Sequence, residues 1–168
     1  MIIFVDGYNL IFAASTRLPG FDIDRPEAAR DRLIGMLSRY ATGRSDRITV
    51  FFDGGHEAAH LPRRMMTRGI DVLFSEANSD ADTDIKNAVS HAGDPPGIRV
   101  VTSDVSIQNF VRKLGATVTG SAEFLDEIEE AGDEDAPPPD EPPEKYEGGA
   151  SDDKGYWLRV FDGDEPKE

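Results

Sequence analysis

Five short apolar runs recur along the chain, and each is rich in β-branched, aliphatic or aromatic side chains. They cover residues 2–5, 48–52, 70–74, 98–101 and 116–118. Four of the five are nearly continuous in apolar character, whereas a strand with one face in water alternates apolar and polar residues. The runs therefore predict strands that are buried on both faces.

Helical patterns lie between these strands. Pro26 opens the first at the favoured first-turn position, and its apolar residues form one stripe: Ala29, Leu33, Met36, Leu37 and Tyr40. Residues 57–66 are a weaker candidate than 81–91 and 105–114, the latter closed by Gly115 as a C-terminal cap. A short last helix is predicted over 122–128. This alternation predicts an α/β fold: a doubly wound, five-stranded parallel sheet with helices on both faces.

The composition changes after this last helix. Residues 131–150 combine paired and tripled prolines, glycines and many carboxylates with little that can be buried. We predict one domain over residues 1–128 and an acidic, mostly disordered tail over 129–168. The tail contains a short apolar segment, 156–161, that either docks back on its own domain, which we favour, or binds a partner as a linear motif.

The formal net charge of −15 is concentrated in this tail. Residues 126–168 carry 17 acidic and 4 basic side chains, whereas residues 1–125 carry 16 and 14. The charge therefore does not exclude nucleic acid as a partner. The absence of cysteine excludes a disulfide framework, a thiolate zinc site and a cysteine nucleophile. The apolar run before Asp6 is too short for a signal peptide or a membrane span, so we expect a cytoplasmic protein without membrane association.

Aspartates follow the predicted strands. Asp6, Asp53 and Asp104 stand at the ends of three of them. Asp80, Asp82 and Asp84 follow a fourth, at the start of the next predicted helix. Each aspartate taken singly is explained as a helix N-cap or a turn residue. In an open parallel sheet, however, the carboxyl ends of the strands form one crevice, in which ligands bind.

Carboxylates that share a crevice repel one another unless a cation or a shared proton relieves the repulsion. Mg²⁺ and Mn²⁺ prefer such oxygen ligands, and a metal ion held there activates water against a phosphodiester. The acids therefore predict an Mg²⁺- or Mn²⁺-dependent phosphodiester-cleaving site. The sequence has no P-loop and no GxGxxG fingerprint, so we expect no nucleotide cofactor.

Four segments of the chain resemble the YacP-like NYN domains, a bacterial branch of the PIN-like ribonuclease superfamily. The segments are Ile3-Phe4-Val5-Asp6-Gly7-Tyr8-Asn9-Leu10-Ile11, Phe51-Phe52-Asp53-Gly54, Phe74-Ser75 leading to Ala81-Asp82-Thr83-Asp84-Ile85, and Val100-Val101-Thr102-Ser103-Asp104. The resemblance covers roughly residues 1–125. It implies a metal-dependent endoribonuclease with strand order 3-2-1-4-5, acting on RNA, with mRNA on the ribosome as a candidate substrate.

The resemblance also implies roles for individual residues. The expected metal ligands are Asp6, Asp82 and Asp104, with Asp84 as a less certain addition. Asn9 is expected to orient a ligand or a phosphate, and Asp53 and Ser103 to support the site. The acidic tail departs from the family pattern, which leaves the choice of partner open.

Basic residues are expected to line the path of RNA around the crevice. The candidates are Arg17, Arg63, Arg64, Arg68, Arg112 and Lys113, and a solvated surface is about equally expected for each. Tyr8 and Phe12 are candidates for stacking on an unpaired base, although Phe12 is predicted in the core. The acidic tail is a candidate mimic of RNA at the same basic rim.

Three alternatives compete with a nuclease. A phosphorelay receiver domain is disfavoured, because it needs a lysine at the end of the fifth strand and paired acids at the first. A binding module with the same fold would dock on RNA or the ribosome without turnover. A metal-dependent phosphatase would act on a small phosphoester, and a closed pocket would favour it, whereas an open crevice favours RNA.

Overall fold

A mixed sheet of six strands forms the centre of the protein. The computed structural model describes residues 1–55 and 58–134, without the side chains of 133 and 134. The strands are β1 (Ile2–Asp6), β2 (Arg47–Phe52), β3 (Arg64–Thr67), β4 (Ile70–Phe74), β5 (Ile98–Val101) and β6 (Thr117–Thr119). Their order across the sheet is β3-β4-β2-β1-β5-β6.

The sheet corrects the prediction of five purely parallel strands. β4, β2, β1, β5 and β6 are parallel to their neighbours and lie in the expected relative order. The sixth strand, β3, pairs antiparallel with β4 at the edge of the sheet. It occupies residues that were predicted as the end of a helix over 57–66. That prediction was wrong for residues 64–66, because pairing with β4 satisfies the backbone there.

Five helices cover the two faces of the sheet. They are α1 (Gly7–Ser15), α2 (Pro26–Ala41), α3 (Ala81–Ser90), α4 (Val105–Lys113) and α5 (Ser121–Glu134). Apolar side chains of α1, α2 and α5 form one buried cluster with the sheet, and those of α3 and α4 form a second. Neighbouring residues of one strand enter different clusters, as Phe51 and Phe52 do. The strands that contribute to both clusters are therefore buried on both faces, as their apolar runs predict: β1, β2, β4 and β5.

Helix α1 was not predicted, and α5 is longer than predicted. Residues 7–15 are apolar enough to read as a continuation of β1, but Leu10, Ile11 and Ala14 turn inward against the sheet. α5 begins at Ser121 and ends at Glu134 rather than covering only 122–128. α4 ends as predicted, with Gly115 in a left-handed conformation at φ +95° just beyond it.

The last residues of the parallel strands form what we call the carboxyl edge of the sheet, marked by Asp6, Phe52, Phe74 and Val101. α1, α3, α4 and α5 each begin just after a strand that ends there. The opposite edge contains the strand starts and the C-terminal ends of these helices. The chain leaves α5 at this opposite edge, and the predicted tail from residue 135, including 156–161, lies outside the described residues.

The described helices include none that is both long enough and apolar enough to cross a bilayer.

The loop after β2 packs closely against the end of β4, and a substitution in the loop can test this contact. The Gly54 N–H donates to Ser75 Oγ at 2.8 Å, and a Cβ added to Gly54 would lie 1.9 Å from the Ser75 carbonyl oxygen. A Cβ on the next residue, Gly55, would meet no described atom within 4 Å.

We expect Gly54→Ala to lower the free energy of unfolding by roughly 1–3 kcal/mol or more, because backbone must move to admit the methyl group. Gly55→Ala is the matched control and should change stability by less than about 1 kcal/mol. Denaturant unfolding of both variants measures the difference. Equal stabilities would show that the loop is not packed as described.

Candidate active site at the carboxyl edge of the sheet

Asp6 occupies the centre of the carboxyl edge. It is the last residue of β1, which lies between β2 and β5, and the chain enters α1 directly after it. Its neighbours across the sheet lead into the loops that contain Asp53 and Asp104. The strand order thus brings three distant aspartates to the crevice at the carboxyl ends of the strands.

A threonine connects Asp6 to the end of β5. The buried Thr102 hydroxyl donates to Asp6 Oδ2 at 3.0 Å and accepts the Asp104 N–H at 3.1 Å. Gln108 donates from Nε2 to the Thr102 carbonyl oxygen at 2.7 Å. Thr102 therefore fixes the Asp6 carboxylate relative to the loop that presents Asp104.

Asp104 and Asp53 each use one carboxylate oxygen to hold a helix start. Asp104 Oδ1 accepts the N–H groups of Ser106 and Ile107, at 2.8 and 3.1 Å, as the N-cap of α4. Asp53 Oδ1 accepts the Ala81 N–H at 2.7 Å, at the start of α3. The capping explanation is thus correct for Asp104. It accounts for one oxygen of each residue, and their Oδ2 atoms accept no hydrogen bond from a described residue.

The surroundings of Asp6 have opposing effects on the pKa of its carboxyl. Burial raises the pKa of its carboxyl from 3.8 to about 6. Hydrogen bonds from the Thr102 hydroxyl and the Asn9 N–H lower this pKa, while the negative charges of Asp53 and Asp104 raise it. The ionised form of Asp6 is therefore disfavoured by its surroundings at neutral pH, and a nearby positive charge would favour it.

Asp82 and Asp84 each contact another side chain of the protein. Asp82 Oδ1 is 2.7 Å from Lys86 Nζ, one turn along α3, in an ion pair. Asp84 Oδ1 accepts from the Ser79 hydroxyl at 3.2 Å. The negative charges of Asp53 and Asp104 raise the pKa of Asp6. The family pattern implies Asp82 as the third acid beside Asp6 and Asp104, and its role as a metal ligand stays a prediction.

Asn9 and Ser103 brace the site. Asn9 Oδ1 accepts from the Ser103 N–H at 2.8 Å and from the Ser121 hydroxyl at 2.6 Å. Ser103 Oγ accepts the Ser121 N–H at 3.1 Å. These bonds join α1, the loop after β5 and the start of α5, and they leave the Asn9 amide N–H groups without a described acceptor.

Four residues of the site were not predicted from the sequence: Thr102, Gln108, Ser121 and Lys86. Thr102 had a signal, because it stands beside Ser103 and Asp104 in the motif after β5. Ser121 had none, since it is 112 residues from Asn9 in the chain.

Three of the predicted RNA-binding residues are held in ion pairs. Arg17 pairs with Asp126 and Glu129 of α5, at 2.5 and 3.1 Å. Arg63 pairs with Glu76, and Arg64 makes two hydrogen bonds to Asp71, at 3.0 and 2.5 Å. Arg63 and Arg64 do lie near the carboxyl edge, at the start of β3. Any contact of theirs with RNA stays a prediction.

The other three lie at the opposite edge of the sheet. Arg112 and Lys113 are in the last turn of α4, about 12 Å along the helix from Asp104. Arg68 is in the turn between β3 and β4, with φ 49°. These positions do not support the prediction that the three rim the crevice.

The described residues contain no group of three or more histidine, aspartate or glutamate side chains already arranged as a metal site. The carboxylates of Asp53 and Asp104 are close enough to affect Asp6 but are turned partly toward the helix starts. A metal ion at this edge therefore stays a prediction.

Comparisons with known proteins identify the family. The family model for the YacP-like NYN domain matches residues 3–149. A crystal structure of Rae1 (YacP) from Bacillus subtilis is similar, with 29% sequence identity, a TM-score of 0.59, and 79% of this chain and 77% of that chain covered. That structure is of a single-residue mutant.

A second crystal structure of Rae1 (YacP) from Bacillus subtilis is 28% identical, with a TM-score of 0.60 and coverage of 80% of this chain and 76% of that one. A search of curated proteins gives no match. The match to the family model spans most of the chain, including every acid at the carboxyl edge. The chain therefore belongs to the YacP-like NYN domain family, which indicates a nuclease-like function related to RNA.

Proposed function

We propose that this protein is a metal-dependent endoribonuclease. The observation that carries the proposal is the position of Asp6: a largely buried carboxyl at the sheet switch point, with the carboxylates of Asp53 and Asp104 close enough to raise its pKa. A structural role explains one oxygen each of Asp53 and Asp104, but it does not explain why a third acid is buried between them. A bound cation would explain the burial of this third acid.

The donors at this edge fit a divalent cation of the magnesium type. Such ions take oxygen ligands, keep several waters, and are typically held by one or two carboxylates together with substrate phosphates. Asp6, together with an Oδ2 atom of Asp53 or Asp104, would hold the ion, Mg²⁺ or Mn²⁺, and water and a substrate phosphate would complete its ligands. When bound, the ion would lower the pKa of a bound water and offset charge on the phosphate.

The protein's own residues would prepare the site for that chemistry. Thr102 orients the Asp6 carboxylate toward Asp104. Asn9 keeps its amide N–H groups available for a phosphate oxygen, because its carbonyl oxygen is taken by Ser103 and Ser121. Asp82 would join the ligands only by leaving Lys86, so we assign it a secondary role.

The openness of the site favours a polymer as the substrate. Asp53, Ser103 and Asp104 are all exposed. A small phosphoester is better held by a closed pocket, which buries most of its ligand. We therefore propose RNA as the partner, with mRNA on the ribosome as a candidate substrate, and we place a phosphatase second.

A binding module without turnover is the other candidate. The ion pair between Asp82 and Lys86 favours it, because an acid of the family pattern is neutralised there by a side chain of this protein. The two candidates differ in one measurable respect, since only the nuclease changes the length of the RNA.

The first test is cleavage of labelled single-stranded RNA in the presence of Mn²⁺. We expect the wild type to cut it and Asp6→Asn and Asp104→Asn to lose at least about 100-fold in rate, because each removes a charge that would hold the ion. Asp46→Asn is the control, since Asp46 pairs with the N-terminal amine at the opposite edge.

Three results would contradict the nuclease proposal. They are equal rates in the wild type and both site variants, cleavage that persists in EDTA, and RNA bound by the wild type but not cut at any Mn²⁺ or Mg²⁺ concentration. The last result would favour the binding module.

The second test is the pH dependence of stability. Asp6 has its pKa raised by folding, so the folded state resists its ionisation and stability falls as pH rises from about 4 through about 6. A rise from 3.8 to about 6 corresponds to roughly 2–3 kcal/mol. We therefore expect Asp6→Asn to be more stable than the wild type at pH 8 and not at pH 4.

Thermal unfolding with and without Mn²⁺ completes this test. The ion should raise the midpoint of the wild type at pH 8, because it binds the folded site, and should have little effect on Asp6→Asn. Asp46→Asn should respond to Mn²⁺ as the wild type does. An equal effect of Mn²⁺ on Asp6→Asn and the wild type would show that Asp6 holds no ion.

A further inference from the structure

An apolar cavity opens at the carboxyl edge beside the acids. It has a volume of about 200 Å³ and is lined by Tyr8, Ile11, Phe12, Ile23, Pro26 and Ala29. Its lining is almost wholly apolar. Pockets for drug-sized ligands measure roughly 300–1,000 Å³, so this cavity fits one ring-sized group rather than a whole nucleotide.

The cavity and Asp6 share one helix. α1 begins directly after Asp6, so the cavity residues Tyr8, Ile11 and Phe12 lie about 3 to 9 Å further along its axis. The opposite wall is the start of α2, which runs from the carboxyl edge toward the start of β2. The cavity therefore lies within reach of a chain bound at the acids.

The walls of the cavity include two exposed apolar side chains. Phe12 is 64% exposed and Ile23 57% exposed, so the prediction that Phe12 lies in the core was wrong. Ile11 and Ala29 are buried and form the inner part. Exposed apolar groups around a concave surface are typical of a binding site.

Tyr8 is held rigidly in this wall. Its hydroxyl accepts from Arg30 Nη1 at 2.7 Å, and its ring packs edge-to-face on Phe52 with the ring centres 5.1 Å apart. The Tyr8 O–H remains a donor, because the hydroxyl only accepts in this bond, and the other side chains that line the cavity present ring and aliphatic surface.

We propose that this cavity receives an unpaired base of RNA, near the phosphate that lies at the acids. This inference rests on the proposed function, because it assumes that RNA crosses the carboxyl edge. Proteins that bind single strands stack bases on aromatic side chains in this way. Phe12 and Tyr8 provide the aromatic surface. Arg25, between Ile23 and Pro26 in the chain, is exposed but pairs with Asp22 at 3.8 Å, so it would contact the RNA backbone only in place of that pair.

The composition of the cavity sets its specificity. Every base has a π-face, whereas base identity is read by hydrogen bonds at the base edges. The site therefore distinguishes unpaired from paired nucleotides and tolerates any of the four bases.

The test combines a protein variant with a change in the RNA. Single-stranded oligonucleotides, each lacking the base at one position, are bound to the wild type and to Phe12→Ala in EDTA, where the proposed cleavage does not occur. Fluorescence anisotropy gives the dissociation constants. Met66→Ala is the control, because Met66 is 65% exposed on β3, away from the cavity.

We expect Phe12→Ala to weaken binding of intact RNA by about 5- to 150-fold, the range for loss of one stacked base. At one position, removal of the base should weaken wild-type binding similarly and leave Phe12→Ala unaffected, because both changes remove the same contact. Ile23→Ala should show the same pattern more weakly, and serves alone if Phe12→Ala does not fold. Met66→Ala should behave as the wild type.

The outcomes separate this inference from the proposed function. Additive effects of Phe12→Ala and base removal at every position, or no binding of RNA at all, would overturn the base site. Mn²⁺-dependent cleavage with additive effects would leave the nuclease proposal standing. Coupled effects on binding without cleavage would support the base site and overturn the nuclease.

Discussion

The burial of one ionisable carboxyl, Asp6, between two other carboxylates is the constraint that organises this molecule. A buried acid beside like charges is costly in its ionised form, and here the cost appears as a pKa raised to about 6. Thr102 and Asn9 reduce that cost with hydrogen bonds without removing it. A positive charge near Asp6 would reduce this cost further, which is the physical basis of the proposed ion.

The same residues serve the fold and the site. Asp104 caps α4 and Asp53 holds the first N–H of α3, so each acid is oriented by the helix that it helps to start. Asn9 joins α1 to α5 through Ser121. This sharing makes the geometry rigid, because a displaced acid would also leave backbone donors unsatisfied. It also explains why such aspartates read equally well as caps and as ligands in the sequence.

Much of the fold follows from local pattern. Apolar runs that need burial on both faces identify the five parallel strands, and the stripe on α2 and the cap at Gly115 identify helices. The failures have one cause. The apolar residues of α1 follow one another too closely for a helical period to be recognised in the sequence. β3 is a strand because it pairs with β4 at the edge of the sheet. Both are decided by what the segment packs against, which a local pattern does not contain.

The sequence by itself determined which acids reach the carboxyl edge, since strand ends and crossover topology follow from the order of elements along the chain. Only the tertiary structure decided their contacts: the negative charge of Asp53 raises the pKa of Asp6, while Asp82 pairs with Lys86. It also placed Arg112 and Lys113 at the far edge and opened Phe12 to solvent. The physical reason is the separation along the sequence of the residues that interact. Local periodicity is enough to predict the order of helices and strands, whereas charge pairing and exposure depend on contacts between residues far apart in the chain.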